Sequence, residues 1–135
     1  MIRIIIAGSR DYSNYDVIKS AMSIAMSTFD LLEKYKSGNI EIVSGGCRGV
    51  DTLAEKFAKE FGYKFTEFPA DWSLGKRAGY LRNKQMAEYA AKENGMLVAF
   101  WDMKSRGTKL MIELAKKYKL QIYVINTENL EVYEF

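Results

Sequence analysis

Residues 40–54 read I-E-I-V-S-G-G-C-R-G-V-D-T-L-A, and this stretch decides the fold. A short apolar run leads into two adjacent glycines, an arginine and a third glycine, and apolar residues recur at helical spacing from Val50 onward. A strand that passes through a tight turn into a helix is the repeating unit of a parallel sheet. The turn also raises a second question, because a glycine-rich loop at the start of a helix is suited to holding an anion.

The rest of the chain repeats this alternation of strand and helix. The run from 2 to 7 is apolar apart from Arg3, which is typical of a strand buried on both faces. Periodicity and turn signals predict further strands at 40–43, 64–68, 96–101 and 121–125, and helices at 15–35, 50–61, 80–92 and 110–118. Residues 130–135 alternate between apolar and polar types, which predicts a short edge strand.

The order of these elements predicts an α/β fold in one domain that spans residues 1–135. We expect a Rossmann-like, doubly wound domain with a mainly parallel five-stranded sheet of order 3-2-1-4-5 and helices on both faces. The C-terminal segment is expected to add an antiparallel edge strand. In such a sheet, ligands bind beyond the carboxyl ends of the strands where the strand order reverses, here between the first and fourth strands.

Composition narrows the class of protein. The chain has 20 basic and 17 acidic residues, no histidine and a single cysteine, Cys47. A structural zinc site, a histidine-based triad and an internal disulfide are therefore excluded. No apolar run approaches the roughly 20 residues needed to cross a bilayer, and the first residues do not resemble a signal peptide. We expect a cytoplasmic location, no membrane contact, no metal and no cofactor.

The loops that follow the first, second and fourth predicted strands are similar in composition. Segments 8–12, 44–49 and 102–108 each contain glycine, serine and arginine. Backbone amides, helix starts and guanidinium groups together suit a phosphate. The alternative is three ordinary strand-to-helix turns. Neither a P-loop nor a dinucleotide fingerprint is present. The candidate ligand-binding residues in these loops are Gly8, Ser9, Arg10, Ser44, Gly45, Gly46, Arg48, Gly49, Ser105, Gly107 and Thr108.

The helix predicted at 80–92 adds two polar candidates. Arg82 and Asn83 precede Met86 by four and three residues, so all three lie on the inward face of the helix. Two inward polar side chains need polar partners, and an anionic ligand would supply them. The alternative is that Arg82 extends to solvent and that Asn83 caps a loop.

Several other side chains allow two interpretations each. Asp51 either accepts a hydrogen bond from a ribose hydroxyl or favours the start of its helix, and Glu55 is expected to form a capping box with Thr52. Asp51 and Glu55 are also the candidate catalytic carboxylates. Trp72 and Trp101 either stack on a base or pack at the rim of the sheet, and Trp101 is counted among the ligand-binding residues. Cys47 has no histidine that could activate it as a nucleophile.

Four segments resemble the SLOG superfamily, and within it the branch of small YspA-like domains. They read A-G-S-R-D-Y (7–12), S-G-G-C-R-G-V-D-T-L-A (44–54), A-D-W-S-L-G-K-R-A-G-Y-L-R-N-K-Q-M (70–86) and A-F-W-D-M-K-S-R-G-T (99–108). Tyr80 stands where the branch usually has proline, and Met103 where it usually has glycine. The resemblance implies a Rossmann-like domain for nucleotides or nucleotide-derived ligands. Its relatives include cytokinin-activating (LOG) glycosidases, the DNA-processing protein A group and nucleotide sensors.

The LOG enzymes carry the motif P-G-G-x-G-T-x-x-E, whose glutamate acts in glycosidic cleavage. The similar segment here is K-S-R-G-T-K-L-M, which places Met111 at the glutamate position, whereas Arg82 matches the arginine of the LOG helix. We therefore expect a domain that binds or senses a nucleotide or a phosphorylated nucleotide derivative. The alternatives are a nucleoside 5′-monophosphate N-glycosidase and, less favoured because the net charge is only +3, a single-stranded nucleic-acid binder. A homo-oligomer is also expected.

Overall fold

The computed structural model describes residues 1–134, with residue 37 described by its backbone alone. Its sheet has the strand order β3-β2-β1-β4-β5-β6. The strands are β1 (Ile2–Gly8), β2 (Ile40–Ser44), β3 (Lys64–Glu67), β4 (Met96–Trp101), β5 (Gln121–Asn126) and β6 (Val132–Glu134). The first five are parallel, and β6 pairs antiparallel with β5. The predicted Rossmann-like fold, its strand order and its antiparallel edge are confirmed, although residue 135 lies outside the described residues.

The helices follow the predicted order with one break. They are α1 (Tyr15–Thr28), α2 (Leu31–Lys34), α3 (Val50–Phe61), α4 (Ala78–Ala91) and α5 (Arg106–Lys117), with 3₁₀ turns at Ser37–Asn39 and Trp72–Arg77. The single helix predicted at 15–35 is wrong. Asp30 takes a left-handed conformation with φ 53°, and the ring of Phe29 packs edge-on against Tyr123 in the core. The break therefore turns the chain so that Phe29 and Leu31 both reach the core.

Two apolar layers cover the two faces of the sheet. In β1, Ile4 and Ile6 face a core built with α1 and α3, whereas Ile5 and Ala7 face a core built with α4 and α5. This explains the continuous apolar sequence of β1, because both of its faces are buried. The carboxyl ends of β1 and β4 consequently lie between the start of α3 on one side and α4 and α5 on the other. None of the helices that the structure describes has the length and hydrophobicity to span a membrane.

A charged cluster is buried near the amino ends of the strands. Glu41 in β2 is 0% exposed, and its carboxylate lies 3.4 Å from Nε of Arg3 and 3.7 Å from Nζ of Lys64. The Thr66 hydroxyl donates to it at 2.6 Å, and the Tyr89 hydroxyl donates to the same oxygen. The guanidinium of Arg3 also lies 3.6 Å above the Tyr89 ring. Burial alone would raise the pKa of Glu41, but these hydroxyls and cations together lower it.

Candidate functional site

A cavity of about 400 Å³ lies at the carboxyl ends of the central strands. Its lining comes from the end of β1 and the loop after it, from the start of α3 and the loop before it, from the second and third turns of α4, and from the first two turns of α5 and the loop before it. Most of the predicted ligand-binding residues are among the lining residues, namely Gly8, Ser9, Arg10, Asp51, Arg82, Asn83, Ser105, Gly107 and Thr108. The structure thus brings together residues from three separate loops and from α4.

Arg82 is the buried cation of this cavity. It is 9% exposed, and its Nη1 donates to the carbonyl oxygen of Gly45 at 2.6 Å, while its Nε donates to Oδ1 of Asn83 at 2.8 Å. Asn83 in turn donates from Nδ2 to the carbonyl oxygen of Gly107 at 3.3 Å. Arg82 does not extend to solvent, and Asn83 links α4 to the start of α5.

The neighbours of the Arg82 guanidinium leave its charge without a contacting counterion. Within the described residues, the hydrogen-bond partner of its Nη2 is the Sγ of Cys47 at 3.9 Å, and thiol sulfur is a weak acceptor. No Asp or Glu in the described part of the chain forms an ion pair with Arg82. A buried cation held by neutral acceptors retains a strong attraction for an anion, since burial weakens screening by water.

Asp51 is the buried carboxylate of the same cavity. It is 8% exposed, and its Oδ2 accepts a hydrogen bond from the backbone amide of Cys47 at 3.1 Å. Burial raises the pKa of Asp51 to about 6, against the opposing effects of the Cys47 amide and the charges of Arg82 and Arg10. Asp51 therefore changes its charge near neutral pH, which makes it a functional-site candidate.

Two amides of the glycine-rich loop 44–49 are used within the protein, as is the amide of Val50 at the start of α3. The Gly46 amide donates to Oγ of Ser44 at 3.3 Å, and the Val50 amide donates to the carbonyl oxygen of Ser9 at 3.2 Å. The Cys47 amide, as described above, donates to Asp51. These donors are not available to a ligand, so the loop offers fewer of them than its sequence suggests.

Packing explains why glycine occupies two positions of this loop. A Cβ at Gly45 would lie 2.2 Å from Nη1 of Arg82, and a Cβ at Gly49 would lie 2.5 Å from the carbonyl oxygens of Ser9 and Arg10. Gly49 also has a φ of +75°, which side-chain-bearing residues rarely adopt. Ser44, Gly45, Gly46 and Gly49 do not line the cavity; they hold Arg82 and the loop after β1 in place.

The start of α5 also supplies free amides. No described residue accepts a hydrogen bond from the backbone amides of Arg106, Gly107 or Thr108, and a Cβ at Gly107 would meet open space. Just before them, Oδ1 of Asp102 accepts from the amides of Ser105 at 2.7 Å and Lys104 at 2.8 Å. These bonds lower the pKa of Asp102. The first turn of α5 therefore presents unpaired donors and a helix dipole at the cavity wall.

Three further predicted residues, Arg48, Glu55 and Trp101, also lie outside the cavity lining. Arg48 is exposed and lies 3.6 Å from Asp11 in an ion pair. Glu55 pairs with Lys59 at 2.8 Å on the outer side of α3. The indole Nε1 of Trp101 donates to the carbonyl oxygen of Ser105 at 3.0 Å, so this ring braces the loop before α5.

The capping box predicted for Thr52 and Glu55 is wrong. The residue that caps the start of α3 is Gly49, which has no side chain to accept from the helix amides. Thr52 instead donates from its hydroxyl to the carbonyl oxygen of Cys47 at 3.2 Å. The loop bends back over the first turn of α3, which leaves Thr52 too far along the helix to act as its cap.

The candidate ligand-binding set omitted several lining residues, Ala7, Asp11, Cys47, Met86, Asp102 and Met111. Asp102 had a usable signal, because an Asp three residues before a serine at a helix start is typical of a side chain that bonds the loop amides. Met111 is 1% exposed and occupies the position at which the resemblance places the LOG glutamate. Among residues 1–134, no group of three metal-ligating side chains comes together.

The fold and the cavity define a Rossmann-like α/β domain with an anion-compatible site at the topological switch point. The chain belongs to the YspA, cpYpsA-related SLOG family, whose model matches residues 2–75. The matched segment contains β1, β2, β3 and the glycine-rich loop. No curated protein sequence matches the chain significantly.

Two solved structures share the fold. One is DNA processing protein A from Helicobacter pylori, described with its single-stranded DNA binding mode, at 20% identity and a TM-score of 0.57. The other is DNA processing protein A from Streptococcus pneumoniae, at 18% identity and a TM-score of 0.57. The alignments cover 92% and 97% of this chain, but only 65% and 52% of those proteins. At these identities the similarity concerns the fold alone.

Proposed function

We propose that this chain binds a nucleotide or a phosphorylated nucleotide derivative in the cavity, as a binding or sensing domain. The observation that carries the proposal is Arg82, a buried cation without a contacting carboxylate, beside the unpaired amides that begin α5. The family match is consistent with such a ligand.

Each part of the ligand has a chemical counterpart in the lining. A phosphate would accept from the amides of Gly107 and Thr108 and from Nη2 of Arg82. Asp51, when ionised, would accept from a ribose hydroxyl. The cavity volume of about 400 Å³ lies within the range of small-molecule sites.

A first test combines thermal unfolding with calorimetric titration. Nucleoside mono-, di- and triphosphates, cyclic dinucleotides and ADP-ribose are screened for a rise in melting temperature, since a ligand that binds only the folded state stabilises it. Arg82→Gln should lower the affinity of any hit by about 10- to 100-fold, because a charge-assisted hydrogen bond is lost. The exposed Arg77→Gln is the matched control. Equal affinities for the two variants would contradict the proposal.

A second pair of variants tests the α5 amides without disturbing Arg82. Arg106 is the first residue of α5, where proline is well tolerated. Arg106→Pro removes one free amide, whereas Arg106→Ala removes the side chain and keeps the amide. Affinity should fall further in Arg106→Pro than in Arg106→Ala. If both variants bind alike, the Arg106 amide does not contact the ligand, and the contact is limited to the amides of Gly107 and Thr108.

Single-stranded nucleic acid is the second candidate ligand, and the surface beside the cavity favours it more than the net charge suggests. Trp72 and Tyr80 are 58% and 41% exposed, and Lys76 and Arg77 lie between them in sequence. Exposed aromatic and basic side chains together are typical of surfaces that bind single strands. An oligothymidine titration at several salt concentrations tests this candidate, which predicts an affinity that falls steeply with salt.

The glycosidase alternative would need a carboxylate at the cleaved bond. Met111 cannot supply it, which leaves Asp51 as the buried carboxylate among the lining residues. We expect no release of free base from nucleoside monophosphates. Release at enzymatic rates that disappears in Asp51→Asn but persists in Glu55→Gln would establish the alternative.

Self-association and a cytoplasmic location stay predictions. An apolar groove of about 330 Å³ between α1 and β6 includes Ile24, Leu130 and Val132, each about half exposed. Light scattering after size exclusion would reveal an oligomer.

A further inference from the structure

The Trp72 ring contacts Arg10, which lines the cavity. The guanidinium carbon of Arg10 lies 5.5 Å from the centroid of the Trp72 ring, and Arg10 is itself one of the cavity-lining residues. The Trp72 side chain is nevertheless 58% exposed. The Trp72 ring is thus exposed to water and lies next to a residue that lines the cavity.

A capped turn holds Trp72 in this position. Trp72 opens the 3₁₀ turn Trp72–Arg77, and Oδ1 of Asp71 accepts from the amide of Ser73 at 3.1 Å and from its hydroxyl at 2.5 Å. The Leu74 amide donates to the carbonyl oxygen of Asp71 at 3.0 Å. The backbone that carries the ring is therefore ordered by local hydrogen bonds, which reduces the entropy lost when the ring binds a ligand.

The two tryptophans of the chain differ in this respect. Trp101 is tied by its indole nitrogen to the carbonyl oxygen of Ser105 and packs against the α4 and α5 side of the core. For Trp72, the ring contact within the described residues is the one with Arg10. Trp101 thus serves hydrogen bonding and packing within the protein, whereas Trp72 has an indole face available for another planar group.

We infer that Arg10 and Trp72 form a stacking platform for the base of the nucleotide whose phosphate binds at Arg82 and α5. The inference rests on the proposed function and specifies the ligand class: a nucleotide with an aromatic base, in contrast to a sugar phosphate or a free phosphate. Indole rings and guanidinium planes both stack on bases with little dependence on base identity.

The test compares nucleotides with a ligand that lacks the base. Titrations use AMP, GMP, CMP, UMP and ribose 5-phosphate against the full chain. The base should strengthen binding by about 5- to 150-fold over ribose 5-phosphate. Trp72→Ala should remove this advantage while leaving ribose 5-phosphate binding unchanged, and Trp72→Phe should keep most of it. Leu32→Ala, which shortens another exposed apolar side chain, should change neither the affinity for nucleotides nor the affinity for ribose 5-phosphate.

Tryptophan fluorescence gives a second readout that does not depend on affinity ratios. AMP should quench the emission of the wild-type chain, and this quenching should disappear in Trp72→Phe, in which Trp101 is the remaining tryptophan. Ribose 5-phosphate should leave the emission unchanged in both chains.

The outcomes separate the platform from the proposed function. Equal binding of AMP and ribose 5-phosphate, or an equal loss of both in Trp72→Ala, would overturn the platform and leave phosphate binding intact. If Trp72→Ala changes the oligomeric state and leaves the affinities unchanged, the ring serves contact between copies of the chain. This outcome would also overturn the platform. If neither these five compounds nor any nucleotide of the thermal-unfolding screen binds, the proposed function fails, and the platform fails with it.

Discussion

Glu41 and Asp51 are both buried carboxylates, but their surroundings have opposite effects. Glu41, near the amino ends of the strands, receives two hydroxyl hydrogen bonds and lies beside two cations, and its pKa is lowered. Asp51, at the carboxyl ends, receives one backbone amide bond, and burial raises its pKa to about 6. The Glu41 cluster is paired within the protein and serves stability, whereas Asp51 and Arg82 interact electrostatically in the cavity but form no ion pair among the described residues.

Arg3, near the amino ends of the strands, and Arg82, at the carboxyl ends, also differ in how their charges are paired. Arg3 contacts the Glu41 carboxylate and lies over the Tyr89 ring. Arg82 is bound by a carbonyl oxygen and an amide oxygen, both neutral. A binding site requires incomplete pairing of this kind, because polar groups that are fully satisfied have little left to offer a ligand.

Disruption of the Glu41 cluster is expected to cause the largest change in the free energy of unfolding. Glu41→Ala removes the counterion of a mostly buried Arg3, and loss of one partner from such a pair costs about 3–5 kcal/mol of unfolding free energy. Urea unfolding at pH 7 measures it, with Glu113→Ala on the surface of α5 as the control. A loss below about 1 kcal/mol would mean that Glu41 is less important than its contacts suggest.

Asp51→Asn is expected to change the free energy of unfolding in the opposite direction, by increasing it. The folded-state pKa of about 6 exceeds the ordinary value of 3.8, so ionisation of Asp51 opposes folding above that pH. At pH 8 the variant should be more stable than the wild type by at most about 3 kcal/mol. The gain should shrink as pH falls from about 7 towards 4.

Urea unfolding of the wild type and of Asp51→Asn at pH 5 and pH 8 measures this difference in stability. The Glu41 contribution should follow the reverse trend, since its lowered pKa gives stability that is present at neutral pH and lost in acid. Destabilisation by Asp51→Asn at pH 8 would show that the carboxylate is structural after all.

The smallest change in the free energy of unfolding is expected at Gly107. A substitution there should increase stability but weaken ligand binding. Gly107→Ala should raise the free energy of unfolding by up to about 1 kcal/mol, because alanine is the better helix former. The added methyl group would enter open space at the cavity wall and obstruct a ligand at the α5 amides. Gly79→Ala, at another helical glycine with open surroundings, should stabilise without affecting binding. Unchanged affinity in Gly107→Ala would place the ligand elsewhere in the cavity.

The sequence predicted the architecture more fully than the site. Strand order and the meeting of the three loops follow from the alternation of elements, and the inward position of Arg82 and Asn83 follows from helical spacing. The break at Asp30 was missed, since a left-handed backbone angle leaves no trace in apolar periodicity. Which amides stay free was also not predictable. The Gly46 amide is occupied by Ser44, while those of α5 are open, and only the loop conformations decide this.

Glycine 45 shows why distant contacts limit such predictions. Its lack of a side chain makes room for Arg82, which lies 37 residues further along the chain. From the sequence alone, the same glycine looks like part of a phosphate-binding loop. Its actual contribution is to position the residue that would bind the phosphate.

The short strand β6 has a practical consequence for anyone who truncates or fuses this chain. By pairing with Tyr123, Val124 and Ile125, it occupies backbone groups of a strongly apolar strand that would otherwise form the outer border of the sheet. Such an open border readily recruits strands from other molecules. Shortened versions that end before residue 132 should therefore precipitate more readily.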